Sequence, residues 1–265
     1  MSPRVGVDEI ELACERSGEG PAVLFVHGLG GRKEVWAEQR EAAAGAGFDA
    51  IAIDMRGHGD SDKPDGPYSV ERWATDVTEA LDGLEIERAA LVGHSIGCIV
   101  VELAATALGE RCTAVAMLGG AMRFDDDFKA ALRGRAELAR EGKMREIGEA
   151  VATTALTERG RAERPELFER IAALIASNDP DAYARSALAT AEAEMRDTAD
   201  VACAALAFAG AEDVVGPPSA AEEIAAAIPR GRSEVVPGGA HMCMLEVGAA
   251  TSEILLDFLR SEATG

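Results

Sequence analysis

The chain has 265 residues, of which 48% are hydrophobic and 28% are charged. This composition is typical of globular domains and excludes a disordered, collagen-like or coiled-coil protein. The 47 acidic residues outnumber the 26 basic ones, which gives a net charge of −21. Because phosphate backbones and anionic lipids repel such a surface, we expect neither nucleic acid nor a membrane as a partner. A homo-oligomer is left open.

The cysteines and the N-terminus indicate the compartment. The chain has five cysteines, an odd number, and they are widely spaced without a C-x-x-C pair. This pattern argues against a disulfide framework or a zinc site. The first residues lack the apolar segment of a signal peptide, and no stretch reaches 18 uncharged apolar residues. We therefore expect a cytoplasmic protein without a bound metal.

The first 120 residues alternate between predicted strands and helices. After an antiparallel hairpin over 4–7 and 10–15, short apolar runs indicate strands buried on both faces. Ser69 is the expected N-cap of the helix that follows the second buried strand. The alternation is typical of a parallel α/β sheet. The buried strands are expected at 22–28, 49–55, 89–95 and 113–120, and the helices at 33–46, 69–84 and 96–108.

The pattern changes between residues 121 and 200. This segment is rich in Ala, Glu and Arg at helical spacing, is broken near Gly160, Pro165 and 178–180, and contains no convincing strand. The alternation then resumes with a strand at 203–213, a helix at 219–228, a strand at 232–238 and a helix at 245–259. We therefore predict an α/β core over 1–120 and 201–265, with a helical insertion at 121–200.

A G-x-S-x-G pentapeptide, Gly93-His94-Ser95-Ile96-Gly97, stands where a buried strand stops and a helix begins. Such a turn strains the serine backbone and exposes its hydroxyl above the sheet edge, at a helix N-terminus that favours a developing anion. The glycines are required because side chains there would collide with the neighbouring strand and helix. Ser95 is therefore the candidate nucleophile, with helix capping as the alternative role.

A serine nucleophile needs a base, and the chain has four histidines, His27, His58, His94 and His241. The sharp turn should point His94 away from Ser95, and His27 and His58 lie in glycine-rich loops. His241 follows the last predicted strand and has the right place in the chain order. It is the candidate base, and packing within its loop is the alternative role.

The base needs a carboxylate that fixes its tautomer and stabilises the imidazolium. Asp213 ends the strand before His241 and completes the serine–acid–histidine order, whereas Glu212 should face the other way. Asp125, Asp126 and Asp127 follow an earlier strand and form a rival position, unless they only begin a solvated helix.

The oxyanion formed in acyl transfer needs two N–H donors. We expect one from the backbone of Ile96 and the other from Leu29, in the first strand–helix loop. A glycine-rich loop of this kind can also bind phosphate. This one does not match G-x-G-x-x-G, and the chain lacks a P-loop lysine pattern, so no cofactor is expected.

Five segments together resemble the α/β-hydrolase superfamily in order and spacing. They are HGLGG, DMRGHGDS, GHSIG, GAEDVV and PGGAHM. The resemblance implies a mostly parallel eight-stranded sheet with helices on both faces and a helical cap inserted at 121–200. DMRGHGDS is similar to the loop of the branch that holds enol-lactone hydrolases, cofactor-free haloperoxidases and meta-cleavage-product hydrolases. Arg56, His58 and Ser61 in this loop are expected to be structural. Epoxide hydrolases and haloalkane dehalogenases use an aspartate nucleophile, so Ser95 argues against both.

These features predict a serine hydrolase that cleaves a small carboxylic ester or lactone through an acyl-enzyme. Two alternatives remain open: a C–C bond hydrolase acting on a vinylogous diketone, and a ligand receptor on the hydrolase scaffold. In each case the partner is a small molecule. The residues expected to contact it are Trp36, Met122, Arg123, Phe124 and Met242.

Overall fold

The computed structural model describes residues 3–196 and 198–263. They form one eight-stranded sheet in the order β1-β2-β4-β3-β5-β6-β7-β8. β2 pairs antiparallel with β1 and β4, and all the other pairs are parallel, which confirms the predicted mostly parallel sheet. The strands are β1 (Arg4–Val7), β2 (Ile10–Ser17), β3 (Ala22–Val26), β4 (Asp49–Ile53), β5 (Ala89–His94), β6 (Cys112–Leu118), β7 (Ala204–Gly210) and β8 (Gly231–Val236).

The helices lie close to the predicted positions. Ser69 caps α2 as expected, because its Oγ accepts a hydrogen bond from the Arg72 N–H at 3.1 Å. Gly160 lies inside α6 and not at a break. The helices are α1 (Ala37–Gly45), α2 (Val70–Gly83), α3 (Ile96–Leu108), α4 (Asp126–Arg140), α5 (Met144–Ala155), α6 (Glu158–Glu163), α7 (Pro165–Ala176), α8 (Pro180–Ala191), α9 (Pro218–Ala227), α10 (Cys243–Glu246) and α11 (Gly248–Glu262).

Helices cover both faces of the sheet, and alternate strand residues reach opposite sides. In β3, Leu24 packs in the core cluster that contains α2, α3 and α9, whereas Phe25 packs in the cluster that contains α1 and α11. This explains why β3 to β7 read as continuous apolar runs. The carboxyl ends of the parallel strands therefore share one edge, where the loops after β3, β5, β7 and β8 meet.

Helices α4 to α8 follow β6 and precede β7 in the chain. They pack in pairs, α4 with α8 and α5 with α7. Among the described residues of 121–200, the β-type pairing is limited to an isolated antiparallel bridge between Arg123 and Glu194, and none of them adds a strand to the sheet. The division into a core and a functional cap stays a prediction.

The tight packing of α5 on α7 can be tested at Gly148. A Cβ at this position would lie 2.2 Å from the Ala172 carbonyl oxygen of α7. Gly148→Ala should therefore force the helices apart and lower the free energy of unfolding by roughly 1–3 kcal/mol. Urea unfolding measures the change.

The matched control is Gly134→Ala in α4, where a Cβ would meet no heavy atom within 4 Å. Alanine should stabilise that helix by up to about 1 kcal/mol. Equal stability of Gly148→Ala and the wild type would contradict the close contact between α5 and α7.

Candidate active site

Ser95 lies between the end of β5 and the start of α3, with φ 54° and ψ −120°. A positive φ at a non-glycine residue costs about 1–3 kcal/mol, so the surrounding structure must impose it. The Ser95 N–H donates to the Leu118 carbonyl at 2.9 Å, and the Ser95 carbonyl accepts from the Cys98 N–H at 2.9 Å. Both hydrogen bonds hold the strained turn.

The two glycines of the pentapeptide allow this turn to pack against β3. A Cβ at Gly97 would lie 2.8 Å from the Val26 carbonyl oxygen and 2.7 Å from that of His27. A Cβ at Gly93 would lie 2.4 Å from the Gly97 carbonyl oxygen. A side chain at Gly97 would push the turn away from β3, and one at Gly93 would push the first turn of α3 away from β5.

His241 and Asp213 form a buried pair at the same sheet edge. The His241 Nδ1 lies 2.9 Å from Asp213 Oδ2. The other carboxylate oxygen, Oδ1, accepts the Val215 N–H at 2.8 Å and the Gly216 N–H at 2.9 Å. Because an ionised carboxylate can only accept, Nδ1 carries the proton and Nε2 is the unprotonated nitrogen of the neutral ring.

The rival carboxylates have other partners or none at this site. Asp125 caps α4, since its Oδ1 accepts the Phe128 N–H at 2.7 Å. Asp126 and Asp127 are exposed in the first turn of α4. The hydrogen bond to His241 is therefore made by Asp213, the acid that the chain order favours.

His94, which the sharp turn was expected to point away from Ser95, contacts His241. Its Nε2–H donates to the His241 carbonyl at 3.0 Å, and the two ring centroids are 4.7 Å apart. Burial lowers the pKa of His94 well below its ordinary value. His94 is therefore a neutral donor that holds the His241 backbone.

The remaining histidines support the loop at 54–61. The His27 Nε2 accepts the Met55 N–H at 3.0 Å, and its Nδ1–H donates to the Gly28 carbonyl at 2.8 Å. The His58 ring packs edge-on against His27. Burial lowers the pKa of His27 to about 4 and that of His58 to about 3.

Buried polar contacts also fix the rest of this loop. The Arg56 guanidinium donates two hydrogen bonds to Asp76, both at 2.8 Å. The Ser61 hydroxyl donates to the Asp54 carbonyl at 2.6 Å. Asp54 also forms a fully buried ion pair with Lys33 at 3.0 Å, which the sequence analysis missed.

Ser95 and His241 line one cavity of about 60 Å³. The sheet side contributes Leu29 and Met242, and the helices α4, α5, α7 and α8 cover the opposite side. Phe124 also lines the cavity. Leu29, Phe124 and Met242 thus line the same cavity as Ser95, and their roles stay predictions.

Three expected contact residues lie elsewhere. Trp36 is fully buried beneath the cavity, where its ring packs 5.4 Å from that of Phe25 and 6.4 Å from that of His94. Met122 and Arg123 belong to a segment that pairs with 194–195 and are not on the cavity wall. The expectation that these three residues touch the substrate is therefore not supported by their positions.

Arg135 lines the cavity and was missed by the sequence analysis. The signal was its spacing, because Phe128, Leu132 and Arg135 stand at i, i+4 and i+7 and so share one face of α4. An arginine on an otherwise apolar helix stripe marks a cation directed at the interior.

Residues 3–196 and 198–263 contain neither a cluster of metal-binding side chains nor a helix that could cross a membrane. These residues contain no group of three or more His, Cys, Asp or Glu side chains placed to hold a metal ion. None of their helices is both long and apolar enough to span a bilayer.

The chain belongs to the α/β-hydrolase family, since residues 21–246 match the family profile described as the alpha/beta hydrolase fold. It is 30% identical over 207 residues to 3-oxoadipate enol-lactonase 2 of Acinetobacter baylyi, covering 78% of this chain and 76% of that protein. The enol-lactonase of Burkholderia xenovorans LB400 superposes with a TM-score of 0.90 at 28% identity, covering 97% of this chain and 100% of the other. A thermophilic esterase from Thermogutta terrifontis has a TM-score of 0.90 at 27% identity, with 98% of each chain covered. The protein is thus a hydrolase with lactonase and esterase relatives.

The buried histidines predict acid sensitivity. The folded pKa values of His27 and His58, about 4 and about 3, lie below the unfolded value of roughly 6.5. Between these limits only the unfolded chain binds the protons, so stability is complete above about pH 6.5 and falls as the pH decreases. Each histidine contributes a slope of up to about 1.4 kcal/mol per pH unit.

Urea unfolding between pH 7.5 and pH 5 measures this slope, and His58→Asn is the informative variant. Asparagine can still donate to the Arg56 carbonyl, as the His58 Nδ1 does at 3.1 Å, but it binds no proton. The slope should become shallower in His58→Asn. An identical slope in both proteins would show that His58 is not a source of the acid sensitivity.

Proposed function

We propose that the protein is a serine hydrolase of small carboxylic esters or lactones, with Ser95, His241 and Asp213 as its catalytic triad. The observation that carries this proposal is the 2.9 Å hydrogen bond from His241 to the buried Asp213 carboxylate, in a cavity that Ser95 also lines. In the neutral ring this hydrogen bond places the proton on Nδ1, so Nε2 can act as the general base.

The proposed reaction follows from these roles. Ser95 Oγ attacks the carbonyl carbon while His241 Nε2 takes the hydroxyl proton, and Asp213 stabilises the imidazolium. Collapse of the tetrahedral intermediate breaks the bond to the leaving oxygen, which receives the proton from His241. Water, deprotonated by His241, then attacks the acyl carbon. The bond from this carbon to Ser95 Oγ breaks, and His241 returns the proton to Ser95 Oγ.

The backbone N–H groups of Leu29 and Ile96 are the proposed oxyanion donors. Ile96 is the first residue of α3, so its N–H has no intrahelical acceptor and lies at the positive end of the helix dipole. Leu29 follows β3 and lines the same cavity. Because both donors are backbone groups, they can stabilise the charge without a side-chain rearrangement.

The helices α4 to α8 are proposed to act as a cap that selects the substrate. Most of the side chains that these helices place on the cavity wall are apolar, and Arg135 is the cationic one. Within the described chain, Arg135 makes no ion pair with a carboxylate. It lies near the buried Tyr183, where burial raises the pKa of the phenol and the guanidinium opposes that rise.

An arginine in an apolar cavity favours a ligand that carries a carboxylate, which it can bind through two parallel hydrogen bonds. The name of the Acinetobacter relative specifies an enol-lactone of 3-oxoadipate, a dicarboxylate. We therefore favour a lactone or ester with a free carboxylate as the substrate of this chain.

Substitutions at Ser95 and Asp213 test the proposed triad. Ser95→Ala should abolish p-nitrophenyl acetate turnover and labelling by a fluorophosphonate. Asp213→Asn should keep the fold and lower kcat by about 10⁴, because the imidazole loses the group that fixes its tautomer.

Asp125→Asn serves as the matched control, since this carboxylate only caps α4 and its loss should leave kcat unchanged. Labelling that persists in Ser95→Ala would refute the nucleophile. If Asp213→Asn kept near-normal activity and Asp125→Asn lost its activity, the acid would be Asp125 and the assignment to Asp213 would be wrong.

The role of Arg135 is tested with a pair of substrates, p-nitrophenyl hemisuccinate and p-nitrophenyl butyrate. Arg135→Gln should lower kcat/KM for the anionic ester by about 10- to 100-fold, the loss expected for a hydrogen bond to a charged group. The neutral ester should be affected little. Equal effects of Arg135→Gln on both esters would contradict carboxylate recognition. Separately, if the wild type turned over a ring-cleavage dienoate faster than any lactone, the protein would be a C–C bond hydrolase instead.

A further inference from the structure

Hydrogen bonds hold the backbone of the His241 loop at successive residues. The Ala240 N–H donates to Glu246 Oε2 at 2.9 Å. The His241 carbonyl accepts from His94 at 3.0 Å, and the Met242 N–H donates to the Ala155 carbonyl at 3.0 Å. The last contact crosses from the loop to the end of α5, so the inserted helices take part in holding the histidine.

Glu246 strengthens this connection, because its second oxygen binds the inserted helices. Its Oε1 accepts the Thr157 N–H at 3.0 Å and the Thr157 hydroxyl at 2.6 Å. The same Thr157 Oγ1 accepts the Gly160 N–H at 2.8 Å and so caps α6. One buried carboxylate therefore joins the residue before His241 to the junction between α5 and α6.

The geometry requires a carboxylate at this position. Three donor groups converge on the two oxygens of Glu246, and hydrogen bonds to an ionised acceptor are about twice as strong as neutral ones. A glutamine has a single carbonyl oxygen, so its amide NH₂ would face one of the three donors.

The size of the cavity makes this connection relevant to turnover. The cavity encloses about 60 Å³, far below the roughly 300–1,000 Å³ of typical ligand pockets. The inserted helices that cover this cavity therefore leave little room beside Ser95. The hydrogen bonds of Glu246 to Thr157 and Ala240, here called the tie, connect those helices to the His241 loop. The position of the helices is therefore linked to that of the base.

We propose that Glu246 is a positioning residue. It fixes the position of His241 relative to the junction between α5 and α6. The inference rests on the proposed function, in which His241 is the base. Misplacement of a catalytic group by about 1 Å can lower the rate about 100-fold, so loss of the tie should lower kcat while KM changes little.

Two substitutions disturb Glu246 from opposite sides. Glu246→Gln removes an acceptor directly. Gly160→Ala leaves Glu246 in the chain but places a Cβ 1.9 Å from its Oε1, while alanine favours the helix intrinsically. Gly134→Ala is the control, because it makes the same change in α4 without meeting a neighbour.

The threonine side of the tie offers a conservative rescue. Thr157→Val removes the hydroxyl that donates to Glu246 and caps α6, whereas Thr157→Ser keeps it. The valine variant should resemble Gly160→Ala in its kinetics, and the serine variant should resemble the wild type.

Two measurements are made on each variant. Amide hydrogen exchange at 240–242 reports the loop directly and does not depend on activity. Steady-state kinetics with p-nitrophenyl acetate separate kcat from KM. In Glu246→Gln and Gly160→Ala we expect exchange at Ala240 to accelerate and kcat to fall about 10- to 100-fold, with KM and the Gly134→Ala control unchanged.

Unchanged kcat in a folded Gly160→Ala protein, or unchanged exchange at Ala240 in Glu246→Gln, would overturn the proposal. Equal activity of Thr157→Val and Thr157→Ser would overturn it as well. Failure of the proposed function has a different signature, because wild-type Ser95 would then resist the fluorophosphonate while the exchange data still decide whether Glu246 holds the loop.

Discussion

The close approach of the β5–α3 turn to β3 is the constraint on which the site depends. Gly97 packs against the carbonyl oxygens of Val26 and His27, and Gly93 packs against Gly97 itself. This contact leaves Ser95 with a positive φ that an isolated peptide would avoid. The strain is balanced by the buried strands on either side, which is why the turn can present a hydroxyl at the start of a helix.

The parallel sheet then gathers the remaining groups. Loops after neighbouring parallel strands emerge at the same edge, so residues far apart in the chain become neighbours. Asp213 follows β7 and His241 follows β8, and their hydrogen bond of 2.9 Å closes the gap between these two loops. The same edge receives Leu29 from the loop after β3.

Several buried charged groups around this edge are paired, and these contacts connect the loops to neighbouring elements. Lys33 is bound to Asp54, Arg56 to Asp76, and Glu246 to three donors. Leaving any of them without a partner would cost several kcal/mol. The histidines follow a different rule, since His27, His58 and His94 avoid this penalty by staying neutral.

Local sequence patterns determined the sheet, its flanking helices and the helical segment at 121–200, because each strand and helix carries its own periodicity. The turn around Ser95 could also be predicted from the pentapeptide, since a strand-to-helix turn has local requirements for glycine. The order of Ser95, Asp213 and His241 along the chain could be predicted as well. Tertiary structure alone decided which carboxylate bonds to His241, that Trp36 lies beneath the cavity, and that Glu246 joins Ala240 to Thr157. These outcomes depend on contacts between segments that are distant in the chain, and no local periodicity encodes the direction of a loop side chain.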